Sequence, residues 1–366
     1  MSKNSSFLLF AILIVGCAAL LYLFQFHEIL DIGETEGFGY VGIIQSDAIN
    51  YLNIYRQDNI FVYLDAGVAN TFMPTIIWKF LNGNWYFSTV LNVFLLFLTG
   101  VYIKKIADNL SIEIKIIYIL ILFFLPETFI YLTGVLKEIP SLFLVTASTY
   151  YFIKRRWILY SVSCIFLILF RYQFLAGIGL FLFSHFIFKG GALRFLIYLS
   201  VALAASYPFW VNNIPSLGLD NAVLYRQMQN GFGLGEINDY LQFNYYGISM
   251  FATVVKFFQM IVEPWPNIDF VNEQNINIIS SAYSITAIIM LVIWYKYFHV
   301  FFYSFKNYKK VSQNILTVVC MSFSFLMMPI FNSFVHHRYL FPMIGLVLLI
   351  ASISNSKCLL KAPNKC

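Results

Sequence analysis

The chain has 366 residues, 60% of them hydrophobic and only 11% charged, and its mean hydropathy is +0.76. One water-soluble core cannot absorb that much apolar surface, so a soluble globular enzyme is excluded and an all-α polytopic membrane protein is expected. The net charge of +6 is distributed topologically, as a membrane chain requires, and does not point to nucleic acid.

The first apolar run, FLLFAILIVGCAALLYLFQF at 7–26, follows a single Lys3. It is longer than the apolar core of a signal peptide and predicts the first span. A hydrophilic stretch follows at 27–84, containing QSDAINYLNIYRQ at 45–57. Ser46 suits a helix N-cap, and Ala48, Leu52 and Tyr55 then form an apolar stripe at helical spacing, so a short interfacial helix is predicted. Asp47 falls in its first turn. It is either a helix-start charge matched to the helix dipole or a general base.

Further apolar runs at 85–103, 114–133, 139–153, 157–170, 172–188 and 192–211 predict spans. Those at 139–153 and 157–170 are shorter than the ~20 residues that cross a bilayer. Between two of these runs, TGVLKE (133–138) places Lys137 and Glu138 just before Pro140, a favourable first-turn residue. The pair reads either as a solvated turn or as charges held at membrane depth. Glu127, after Pro126, and Arg171, in ILFRYQFLAG, fall at the same expected side. Ionisable groups at that depth normally face a bundle interior or an aqueous cavity.

A second hydrophilic stretch spans 212–277. Its Arg226, Glu236, Asp239, Glu263 and Asp269, beside Tyr245, Tyr246 and Trp265, are what a sugar site uses, and also what any hydrated loop contains. GFGLGE at 231–236 follows no buried strand, so it is not a nucleotide loop. The apolar stretch 248–264 holds Lys256 and is placed at the interface. Runs at 278–297, 314–332 and 338–354 bring the expectation to about ten transmembrane helices. FVHHRYLFP at 334–342 turns between the last two. Its adjacent His336 and His337 do not share a helical face and give a metal site only weak support, whereas Arg338 either grips a phosphate or anchors the interface beside Tyr339. The five cysteines show no paired spacing, so no disulfide framework or metal knuckle is implied. No repeat or linker divides the chain, which reads as one domain over 1–366.

Basic residues prefer cytoplasmic loops. With both termini inside, 16 of the 23 basic residues lie in or next to inner segments, while only Asp108 and Glu113 of the 17 acids do. Both long hydrophilic stretches then lie outside.

These residues resemble the GT-C superclass of integral-membrane glycosyltransferases, in particular the bacterial branch similar to protein O-mannosyltransferases and aminoarabinose transferases. The likeness rests on Asp47 and Tyr51 after a first span, on FMPTIIWKFLNGNWYFSTVLNVFLLFLTG, on LPETFIYLTGVLKE and on HHRYLFPMIG. It covers most of the chain diffusely. It departs where Ser46–Asp47 stands for a pair of acids and where Pro342 stands alone. The resemblance implies a bacterial inner-membrane, multi-pass enzyme of surface-polysaccharide assembly that moves a sugar from a polyprenyl-phosphate donor to a glycan or lipid acceptor. By that resemblance Asp47 and Glu138 are the catalytic pair, Asp47 as the base and Glu138 orienting Lys137 or Asp47. Lys137, Arg171, Arg338 and His337 hold the donor phosphate, and Tyr51, Arg226, Glu236 and Trp265 bind sugar or acceptor. Some relatives use a divalent metal, but no ligand cluster here calls for one. Two rivals share the expected topology: an O-antigen or capsule repeat-unit polymerase, and a non-enzymatic flippase for lipid-linked oligosaccharide.

Overall fold

The computed structural model describes residues 3–25, 72–82, 84–133, 137–171, 173–188, 191–199, 201–202, 261, 278–327 and 339–353. These residues are helical with no strand among them. In chain order the helices are α1 (Lys3–Gln25), α2 (Phe72–Phe80), α3 (Trp85–Asn109), α4 (Ile116–Phe124), α5 (Pro126–Leu132), α6 (Glu138–Ile153), α7 (Trp157–Phe170), α8 (Phe174–Ile187), α9 (Ile278–Lys306), α10 (Gln313–Leu326) and α11 (Ile344–Ile353). A helical stretch at 192–199 follows α8, and a 3-10 turn at Phe341–Met343 leads into α11. Two segments, Trp85–Asn109 and Ile285–Lys306, are long and apolar enough to cross a membrane.

Local chemistry sets the boundaries. Asn84 caps α3 by accepting from the Phe87 N–H at 3.1 Å, and Ser312 caps α10 by accepting from Ile315 at 3.4 Å. The helices α3 and α6 end on left-handed residues, Ser111 (φ 55°) and Arg155 (φ 55°). At the second, the Arg156 N–H donates to Tyr151 O at 2.9 Å and the Arg155 N–H to Phe152 O at 3.0 Å, a Schellman-type closure.

The run 114–133, expected as one helix, is two. Pro126 has no N–H to give Leu122 O four residues back, so the helix stops at Phe124 and restarts as α5. The Thr128 hydroxyl donates to the stranded Leu122 carbonyl at 2.8 Å, and the Glu127 N–H finds Thr286 Oγ1 on α9 at 3.2 Å. Buried polar backbone groups are thereby satisfied across the break, as an apolar surrounding demands.

Helices α6, α7 and α8 alternate in direction. Arg171, after α7, meets Glu138 at the start of α6, while Phe152 near the end of α6 packs on Trp157, Tyr160 and His185. Tyr131 of α5 packs edge-on against Phe341, and Phe174 against Phe325, so these ends lie together. Tyr22 against Phe129 brings the end of α1 to that same end, and the Glu127–Thr286 contact brings the early part of α9 there. The bundle therefore has one end with Glu127, Lys137, Glu138 and Arg171. At the other lie Lys104, Lys105, Lys154, Arg155, Arg156, Arg194 and Lys306.

Helices α6 and α11 fill the centre, with every residue of α11 buried. Small residues let the axes approach: a Cβ on Gly345 would lie 3.1 Å from Thr146 Oγ1, and one on Gly100 would lie 2.8 Å from Phe123 Cζ. Hydroxyls inside the bundle donate along their own helices, as Thr146 does to Leu142 O and Thr149 to Val145 O. The outer faces are apolar instead. Phe24, Phe94, Ile158, Leu175, Val292 and Phe302 are all exposed, Ile158 by 80%. The core is apolar and so is much of the outer surface, with hydroxyls satisfied inside the bundle, and an apolar outer surface is what lipid contact favours.

Candidate functional site

The turn TGVLKE is not solvated at its charged end. Glu138 is the first residue of α6 and fully buried, and Lys137, just before it, is 9% exposed. Of the two readings of this pair, burial favours charges held inside the bundle over a solvated turn. At a helix start the Glu138 carboxylate also meets the positive end of the helix dipole.

The partner comes from the next hairpin. Arg171 follows α7 in extended backbone (φ −151°, ψ 95°), its N–H donating to Leu167 O at 2.9 Å and its carbonyl accepting from Phe174 at 3.0 Å. That geometry ends α7, starts α8 and aims the side chain at the start of α6. Arg171 Nη2 donates to Glu138 Oε1 at 2.6 Å. The guanidinium also lies over the Tyr339 ring, 5.5 Å from its centroid. Burying both ions costs several kcal/mol each, offset only by close pairing and further hydrogen bonds. Arg171 Nε is buried and has no hydrogen-bond partner among the described residues, a state it shares with Arg194 Nε and Trp294 Nε1.

A second polar layer lies beside the pair. Tyr131 Oη donates to Glu127 Oε1 at 2.6 Å, one helical turn away on α5. From α3, Asn92 Nδ2 reaches the last carbonyls of α5, Tyr131 O at 3.3 Å and Leu132 O at 3.4 Å. Asn92 thus ties the end of α5 to α3.

Of the residues assigned from sequence, the structure brings Glu138 and Arg171 into contact, with Lys137 adjoining. The partner of Glu138 that the structure shows is Arg171. Asp47, Tyr51, Arg226, Glu236, Trp265, His337 and Arg338 lie outside the described residues, as does the predicted helix at 45–57. Sequence reasoning missed Asn92, Tyr131, Thr286 and Tyr339. An Asn within the apolar stretch of α3 was the available signal for the first; the others have none at the local level. No group of three or more His, Cys, Asp or Glu that could hold a metal occurs among the described residues.

No protein-family model matches the chain, and no curated protein or solved structure matches it either.

Proposed function

We propose that the chain is a multi-pass membrane glycosyltransferase of surface-polysaccharide assembly, taking its sugar from a polyprenyl-phosphate donor at the end of the bundle that carries Arg171 and Glu138. The observation that carries this reading is the buried Arg171–Glu138 pair, because Arg171 keeps a buried Nε–H that makes no hydrogen bond among the described residues. A guanidinium with a donor still to give suits an anionic phosphate oxygen, and the neighbouring carboxylate holds the cation in place.

The membrane part of the proposal is supported by the apolar outer faces, the alternating helices and the cations gathered at the other end. Helix α1 ends and α9 begins on the Arg171 side of the bundle, and the two hydrophilic stretches that adjoin them in sequence are proposed to lie on that side. On this side of the membrane cytoplasmic nucleotide sugars are out of reach, so an activated sugar arrives attached to lipid. In this scheme Asp47 takes the proton of the acceptor hydroxyl while Arg171, Lys137 and Arg338 offset the charge of the departing phosphate. Most of the described charges gather toward the two ends, with Lys296 partway along α9 donating to Tyr118 Oη at 3.1 Å, and a single cation between the ends favours an enzyme over a flippase.

Deletion of the gene, with the surface polysaccharide examined on a gel and by mass, tests the reading. Loss of one sugar per unit is expected. A single-unit product lacking a ladder indicates a polymerase, lipid-linked units trapped inside indicate a flippase, and unchanged polysaccharide removes all three.

A further inference from the structure

The opposite end of the bundle carries a second feature, the corner between α6 and α7. Lys154, Arg155 and Arg156 are consecutive and all exposed, and their backbone is pinned by the hydrogen bonds of Arg155 and Arg156 to Phe152 O and Tyr151 O. Lys105 at the end of α3 adds a fourth cation beside them, since Tyr102 is hydrogen-bonded to Tyr151 and the Lys105 ammonium lies over the Tyr102 and Tyr150 rings at 5.4 and 5.8 Å. None of these four cations forms an ion pair among the described residues, where the one salt bridge is Arg171–Glu138. Like charges packed this closely repel one another unless an anion is supplied from outside.

What lies next to the cations defines the anion. Directly after Arg156 come Trp157 and Ile158, both exposed, and Val162, Ile165 and Leu169 continue the exposed apolar face along α7. A cationic corner capping an apolar stripe matches a molecule with a phosphate at one end and hydrocarbon at the other. Free phosphate or nucleic acid would leave the stripe unused. Arg155 also occupies a left-handed position, where glycine is the residue of low cost.

We propose that the Lys154–Arg156 corner, with Lys105, is a binding site for the headgroup of an anionic phospholipid, whose acyl chains lie along Ile158, Val162 and Ile165. The site rests on the membrane placement of the chain and not on any sugar chemistry. It orients the bundle by holding this end at the anionic leaflet, where each nearby cation adds attraction.

The test uses the full chain purified in a neutral detergent, with bound lipid counted by native mass spectrometry during titration with phosphatidylglycerol or phosphatidylcholine. The wild type is expected to retain phosphatidylglycerol preferentially, with the preference falling about fivefold for each cation removed in Lys154→Gln, Arg155→Gly and Arg156→Gln. Arg155→Gly is the decisive variant, because it removes a charge while installing the residue that the left-handed backbone prefers, so its loss of lipid cannot be put down to misfolding. Lys309→Gln with Lys310→Gln, elsewhere at the same end, is expected to leave that preference unchanged. Equal retention of the two lipids by the wild type, undiminished phosphatidylglycerol binding in Arg155→Gly, or displacement of the lipid by millimolar inorganic phosphate would each overturn the proposal. Lipid retention is read without a sugar donor, so it stands or falls separately from glycosyltransferase activity.

Discussion

Arg171 Nη2 lies 2.6 Å from Glu138 Oε1 with both side chains shut away from solvent, joining the end of α7 to the start of α6. Removing one member leaves the other as an uncompensated buried charge. Glu138→Gln or Arg171→Met alone is therefore expected to destabilise the detergent-solubilised protein by about 3–5 kcal/mol, read as a lowered unfolding midpoint. The double change Glu138→Leu with Arg171→Met replaces both ions with apolar groups and is expected to recover most of that loss. It is also expected to abolish sugar transfer, since the guanidinium proposed to meet the donor phosphate is gone. A double variant as unstable as either single one would show that the pair is not held by its charges.

The α4–α5 break offers a cleaner test of backbone accounting. Thr128→Val keeps the shape but strands the Leu122 carbonyl inside the bundle, at an expected cost of about 1–3 kcal/mol. In a Pro126→Ala background the new Ala N–H stands four residues after Leu122 and can take over that acceptor. Thr128→Val is then expected to cost clearly less than in the parent. The coupling is measured as the difference between the two effects in a double-mutant cycle. Equal costs in both backgrounds would mean that the hydroxyl does not substitute for the missing proline donor.

Much of this architecture is legible in the chain. The runs 139–153 and 157–170 coincide almost residue for residue with α6 (Glu138–Ile153) and α7 (Trp157–Phe170), because apolar content and the charges Lys154–Arg156 mark both ends. The run 114–133 misled because its hydropathy is continuous across Pro126, while the break depends on one missing N–H. Contacts between distant positions leave no local trace: Glu127 and Thr286 are 159 residues apart, and Asn92 meets Leu132 across 40. Glu138 and Arg171 could be flagged as costly charges near membrane depth, but nothing in their spacing says that each is the other's partner. Asp47 and Arg338 lie outside the described residues, so their place relative to the pair rests on the proposed function alone.

Gly100 sets the approach of α3 to α4. A methyl group there would lie 2.8 Å from Phe123 Cζ and 3.3 Å from Ile119 Cγ2, closer than packed carbons tolerate. Phe123 is buried, so its ring cannot swing into open space. Gly100→Ala is expected to lower stability by about 1–3 kcal/mol despite the better helix propensity of alanine. Adding Phe123→Leu removes the ring tip and is expected to offset part of the loss. An undiminished penalty in that double variant would place the strain elsewhere.

The two ends of the bundle make a prediction about sides of a membrane. Lys79, exposed near the end of α2, precedes α3, whereas Arg155 and Lys309 are exposed at the other end. Helix α3 has 25 residues, about 37 Å at 1.5 Å per residue, which exceeds a hydrocarbon core of about 30 Å. If α3 crosses the bilayer, single cysteines at these positions, in a chain whose five native cysteines are changed to serine, must differ in access to a membrane-impermeant maleimide. Lys79→Cys is expected to react in intact cells whose outer barrier has been opened, and Arg155→Cys and Lys309→Cys only after the inner membrane is permeabilised. The direction follows from the cations: Lys104, Lys105 and Lys154–Arg156 gather at the Arg155 end, and such clusters stay on the cytoplasmic side. Reversed labelling would keep the spans and invert the protein, moving Arg171 and Glu138 to the side where nucleotide sugars are available and removing the reason for a lipid-linked donor. Labelling of all three from one side would mean that α3 does not cross.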